Sequence, residues 1–221
     1  MLEAWLNGQT DKAAIFTGKV LLDIFGDVPF PQTATPKEIT PVEIRRFTDE
    51  AREALAKEGY VVRELTGQSI ASERAKGSRF WSTWHRDYPQ FEALTSMQSE
   101  VAVKPGKLFL PRSNNKTLIQ QEEMIGGFSQ RLGETVPGVD AIMGEAPDYV
   151  DLVFAHLGVT GEYLFGKKDG FNYARTKTPT VGTRVAYVGR AGPGRGLDVG
   201  GWYRGHGNSY VFAAPLVVPK A

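Results

Sequence analysis

Beyond residue 160 the chain reads as a series of short β-prone runs cut by glycine, and this stretch most limits what the protein can fold into. Residues 162–165, 171–177, 183–188 and 209–218 are dense in β-branched and aromatic side chains, with 197–203 a weaker further element. Asp169-Gly170 between two such runs predicts a hairpin turn. Pro215 has no N–H to give to a ladder, so the last run must be an edge strand, bulged or split.

The same stretch is basic. From residue 161 there are nine Lys or Arg against three acids, a formal +6, while the whole chain is only +1. A concentrated field of this kind attracts anionic partners. Arg175, Lys177, Arg184, Arg190, Arg195, Arg204 and His206 are the candidate anion-binding residues, with Tyr173, Trp202 and Tyr203 as stacking groups. Aromatics interleaved with arginine suit single-stranded nucleic acid, where rings stack on bases and guanidinium groups meet phosphates. The loop Gly189-Arg190-Ala191-Gly192-Pro193-Gly194-Arg195-Gly196 can wrap an anion, although Pro193 removes one donor and no phosphate-loop or dinucleotide pattern is present. The competing reading puts the aromatics in a β core covered by arginine stems, with 189–196 a solvated hairpin loop.

Helical signals precede residue 60. A pattern opens at Thr10 and stops at Gly26, followed by a linker over 29–37. Thr40, Pro41 and Glu43 predict a capped helix over 41–58 with Gly59 as its exit. Further on, 60–65 reads as a strand, 69–76 as a short helix and 79–84 as an aromatic strand. Residues 97–103 and 107–110 read as a strand pair around Pro105-Gly106. A helix from Lys116 and another over 148–157, ended by Gly158, complete the reading. The expected fold is α+β: N-terminal helices, then a mostly antiparallel, strand-rich C-terminal region. A helical segment over 1–60 precedes a mixed α/β body over 61–221, whose basic tail begins near 161.

Composition bounds the function. At 41% apolar and 23% charged the chain is ordinary globular protein. No run approaches a membrane span, and Met1-Leu2-Glu3-Ala4-Trp5 lacks a basic region leading into an apolar one, so the expected location is cytoplasmic. Without cysteine, disulfides, thiolate metal sites and thiol nucleophiles are excluded.

Enzyme chemistry has thin support. His85 and Asp87 resemble a base and its orienting acid, with Ser82 nearby, but on a strand Ser82 and His85 face opposite sides. His156 reads as a hydrogen-bonded packing residue. Asp148 and Asp151 share a helical face, yet Asp148 equally suits a helix N-terminus. No catalytic residue, metal site or cofactor is assigned. The acidic interval 134–151, with five acids and no Lys or Arg, could neutralise the tail of its own chain or of another copy. The expected function is a non-enzymatic binding or structural-interaction protein contacting nucleic acid or another polyanion. The alternatives are a small hydrolase or transferase and a subunit of a homomeric assembly, in which strand edges are covered by another copy.

Overall fold

The computed structural model describes residues 43–220, and the helix from Thr10 and the linker over 29–37 lie outside the described residues. Helix α1 (Asp49–Lys57) is capped by Thr48, whose hydroxyl accepts from the Ala51 N–H at 3.2 Å. It begins at Asp49, not near residue 41 as the capping pattern predicts, because the preceding residues are drawn along a strand. The Arg45 N–H donates to Gln98, the Glu100 N–H donates to Arg45, and the Phe47 N–H donates to the Glu100 carboxylate at 2.9 Å. Gly59, at φ 81°, ends the helix as expected.

Strand β1 (Val61–Thr66) leads through α2 (Ile70–Ala75), capped by Ser69 and Ser72 reciprocally, to a short aromatic stretch. The strand expected over 79–84 amounts to one bridge, Phe80 beside Leu197, before the chain turns into a 3-10 helix (Trp84–Asp87) and α3 (Pro89–Glu92). Strand β2 (Gln98–Val103) follows. Pro105-Gly106 does turn, with the Lys107 N–H on the Lys104 carbonyl, but 107–110 forms no strand. Leu110 instead donates to Ala213. Helix α4 (Leu118–Thr135), capped by Thr117 and Gln120, tolerates Gly126-Gly127 because Gln121, Ile125 and Leu132 are buried. Strand β3 (Val139–Ile142) forms within the acidic interval, where the sequence predicts no strand. Helix α5 (Ala146–Thr160) runs past Gly158 and stops at Gly161, φ 71°.

The tail supplies β4 (Tyr173–Pro179), β5 (Arg184–Gly192), β6 (Gly196–Tyr203), β7 (Val211–Phe212) and β8 (Leu216–Pro219). The last run is split at Pro215, and its halves join different sheets. One sheet has the order β1-β2-β8-β3, all antiparallel; the other has β6-β5-β4-β7, with only β4–β7 parallel. Residues 162–165 form no strand, and Asp169-Gly170 makes no hairpin. It closes a 3-10 turn (Lys167–Asp169), because the buried Asp169 carboxylate holds the N–H groups of Phe165 and Gly106.

The fold is α+β, and side-chain alternation defines its layers. Val101 and Val103 of β2, with Leu216 and Val218 of β8, pack with α5; Ala102 and Val217 face the other way, toward α1 and α4. The far side of α5 meets Ala174, Ala186 and Val188 of the second sheet. A helix covered on both sides buries residues all round, as α5 does from Ala146 to Val153. Each fully buried side chain such as Leu152 contributes about 1.5–3 kcal/mol.

Candidate functional site

Arg175 lies at the centre of the most informative polar cluster. It is fully buried, yet among the described residues no carboxylate meets it. Its Nε donates to Gln121 Oε1 at 2.8 Å, Nη1 to the Tyr203 carbonyl at 3.0 Å, and Nη2 to the carbonyls of Lys116 at 3.2 Å and His206 at 3.0 Å. Gln121 is fixed in turn, because its amide donates to Ser113 and Val211. Burial pulls the Arg175 pKa down to about 10, which leaves it charged at neutral pH. Its donors are engaged by the fold, so Arg175 cannot itself grip a ligand. It is a positioning residue that joins the 111–117 and 203–208 loops.

Other backbone contacts hold the same loops together. Leu118 donates to the Arg204 carbonyl at 2.9 Å and Asn115 to Asn208 at 3.0 Å. A Cβ on Gly207 would stand 2.5 Å from the Asn115 carbonyl carbon, so only glycine permits this approach. Beside the joined loops, a groove of about 820 Å³ runs along α4, lined by Arg112, Lys116, Gln120, Glu123, Met124 and Arg131 among others. Among the described residues, none of these three cations has a carboxylate within 4 Å. On the adjoining loop Arg204 and His206 are exposed. Tyr203, 39% exposed, has the His206 ring 5.4 Å away and the Arg184 guanidinium 4.6 Å above its face. Arg184 also donates to the Tyr203 hydroxyl at 3.0 Å.

The ten residues expected to form one surface are therefore dispersed. Arg184, Trp202, Tyr203, Arg204 and His206 gather at one end, where the Trp202 indole N–H donates to the Gly207 carbonyl. Arg190, Arg195 and Tyr173 stand around Asp198. The Tyr173 hydroxyl, on a buried side chain, donates to Asp198 at 3.0 Å, and Arg195 lies 3.6 Å from the same carboxylate and 4.0 Å over the Trp81 ring. A hydrogen bond to the Tyr173 hydroxyl raises the pKa of exposed Arg190. Lys177 is exposed elsewhere, its N–H held by Gly144. The groove residues Arg112, Lys116 and Arg131 share no sequence signal: they are separated along the chain and marked only by the helix start at Lys116.

The enzyme candidates are engaged in other ways. His85 is fully buried, with Nδ1 2.6 Å from Glu92 Oε1, and Glu92 is gripped by both terminal nitrogens of Arg74. Asp87 is not its partner. Ser82 Oγ lies 2.6 Å from both the Asp198 carboxylate and the Val199 carbonyl, which compete for its proton. His156 packs as expected, but its Nδ1 has no hydrogen-bond partner, and burial together with Arg63 lowers its pKa. Asp148 accepts from Met97 and Glu145; Asp151 accepts from Thr66, Gln68 and Ser96. Burial raises both pKa values despite these donors. Among the described residues no ion pair links the acidic interval to the basic tail, no three His, Asp or Glu are placed to hold a metal, and no helix is long and apolar enough to cross a membrane. No protein-family model, curated protein or solved structure matches the chain.

Proposed function

We propose that this chain is a non-enzymatic binding protein for a flexible polyanion, with single-stranded nucleic acid as the ligand class. The backbone phosphates would lie along α4 against Arg112, Lys116 and Arg131, and a base would stack on Tyr203 beside Arg204 and His206. The observation that carries this reading is the groove itself: three cations in its lining against one carboxylate, Glu123, and among the described residues no carboxylate within 4 Å of any of the three. Arg175 supports it from below. A buried guanidinium matched, among the described residues, only by amide and carbonyl dipoles adds positive potential to the surface that carries Lys116 and His206. Hydrolase chemistry has less behind it, since Ser82 and His85 are each held by a different carboxylate.

Fluorescence anisotropy with a labelled single-stranded oligonucleotide tests the reading. Affinity should fall steeply between about 50 mM and 200 mM salt, and joint replacement of Arg112, Lys116 and Arg131 by Ala should flatten that dependence by about 0.7 in slope per phosphate contact removed. An affinity and salt slope shared by the wild type and the triple variant would remove the proposal.

A further inference from the structure

Strand β6 is the edge of its sheet, and among the described residues only its first half is covered. Leu197 donates to Arg79 at 2.9 Å and accepts from Trp81 at 2.8 Å, and Val199 donates to Ser82 Oγ at 3.2 Å. At Trp84 the covering segment turns away, its indole N–H ending on the Val199 carbonyl at 2.6 Å. Hydrogen-bonding groups alternate along a strand, so the next outward residue is Gly201. Among the described residues no backbone partner meets it on that side.

The space beside Gly201 has an unusual lining. A cavity of about 470 Å³ touches Tyr187 and Asp198 on one face of the sheet and Arg184 and Gly201 on the other. A cavity reaches both faces only around an open edge; the faces of Gly200 and Gly201 are themselves covered by the Tyr187 ring and the Thr180 hydroxyl, so the opening lies at the strand edge. Next to it, and sharing Trp84, Tyr88, Thr180 and Val181, lies a slot of about 500 Å³ floored by Phe91 and bordered by Leu94. Leu94 and Val181 are 43% and 53% exposed, so this slot presents apolar surface to solvent. Asp87, at the cavity wall, is exposed and has no cation within 4 Å among the described residues.

We propose that this edge takes an extended peptide segment of a partner protein, which pairs its backbone with Gly201 and places an apolar side chain between Trp84 and Val181. Backbone pairing supplies affinity and the slot supplies selectivity, the division of labour of strand addition. Unpaired Asp87 favours a lysine or arginine next to the apolar residue. A second copy of this chain fits less well, because its own 79–84 segment stands against its β6 edge and obstructs symmetric edge-to-edge pairing.

The test uses an immobilised array of hexapeptides that alternate apolar residues with lysine or threonine. The best binder is then labelled and its affinity measured. Val181→Asp and Leu94→Asp sit on exposed positions and leave the core alone, and each should weaken binding tenfold or more. N-methylation of the pairing peptide residue should do the same, and the Gly201 amide should gain exchange protection when the peptide is bound. Three results overturn the proposal: no array peptide bound at about 1 mM protein; affinity indifferent to both substitutions and to N-methylation; or a dimer in sedimentation that Val181→Asp dissociates, which would make a second copy the occupant.

Discussion

Arg175 Nε reaches Gln121 Oε1 at 2.8 Å, and this contact ties a strand of the second sheet to the first turns of α4. The same guanidinium fixes the carbonyls of Lys116, Tyr203 and His206, so one side chain holds three stretches of chain in register. Its removal strands several buried acceptors at once.

Arg175→Met should therefore lower stability by about 3 kcal/mol or more, since each buried acceptor left unpaired costs about 1–3 kcal/mol. Arg175→Lys should recover only part of this, because an ammonium group lacks the planar fork that reaches four acceptors. Urea midpoints measure both. A midpoint for Arg175→Met within error of the wild type would show that the loops hold without it.

Gly207→Ala tests the loop contact separately. The new Cβ would meet Asn115 backbone atoms at 2.5–2.7 Å, and backbone cannot swing aside as a flexible side chain can. A destabilisation of about 1–3 kcal/mol is expected. Oligonucleotide affinity, measured below the unfolding midpoint, should drop as well, because the loop carrying Arg204 and His206 moves away from Lys116. An unchanged affinity in a destabilised variant would detach this loop from the binding surface.

How much of this was legible depended on the range of the interactions. Local signals read correctly: Gly59 ends a helix, Pro215 splits the last run, and the helices expected over 69–76 and from Lys116 form. The start of α1 failed because Glu100, far along the chain, takes the Phe47 N–H and draws the preceding residues into strand geometry. Strand alternation places Arg175 with Lys177 on one face, as a surface cation, and nothing in the sequence marks Gln121 as its partner. Proximity in sequence pairs His85 with Asp87. Its true acid, Glu92, reaches it only because the chain doubles back through α3.

Asp151 gives a pH test. Its folded pKa is raised, chiefly by burial, so its favourable contribution is fully present below the ordinary aspartate value of 3.8 and is lost as pH rises through the higher folded value. Asp151→Asn keeps an acceptor for Thr66, Gln68 and Ser96 without titrating. The wild type should gain stability relative to Asp151→Asn as pH falls from neutral toward the usual carboxylate range. Parallel stability curves for the two proteins would rule out a raised pKa.

Glu92 should behave in the opposite sense. Burial alone would raise its pKa, but the Arg74 hydrogen bonds, joined by His85, outweigh burial and hold the group below the ordinary value of 4.5. Its stabilising contribution is present above that value and lost as pH falls through the lower folded one. Glu92→Gln keeps the shape but meets Arg74 and His85 with a neutral amide. A loss of about 2–3 kcal/mol at neutral pH is expected, the scale of hydrogen bonds to charged partners. The defect should also be local. His85 sits 5.9 Å from the Trp84 ring and 5.7 Å from Phe80, so a loosened imidazole disturbs the aromatic wall of the β6 cleft. Near-UV circular dichroism should weaken in Glu92→Gln, and the stability gap to the wild type should close as the wild-type carboxylate protonates. A gap that persists undiminished below that pH would mean that Glu92 acts through shape and packing, not through its charge.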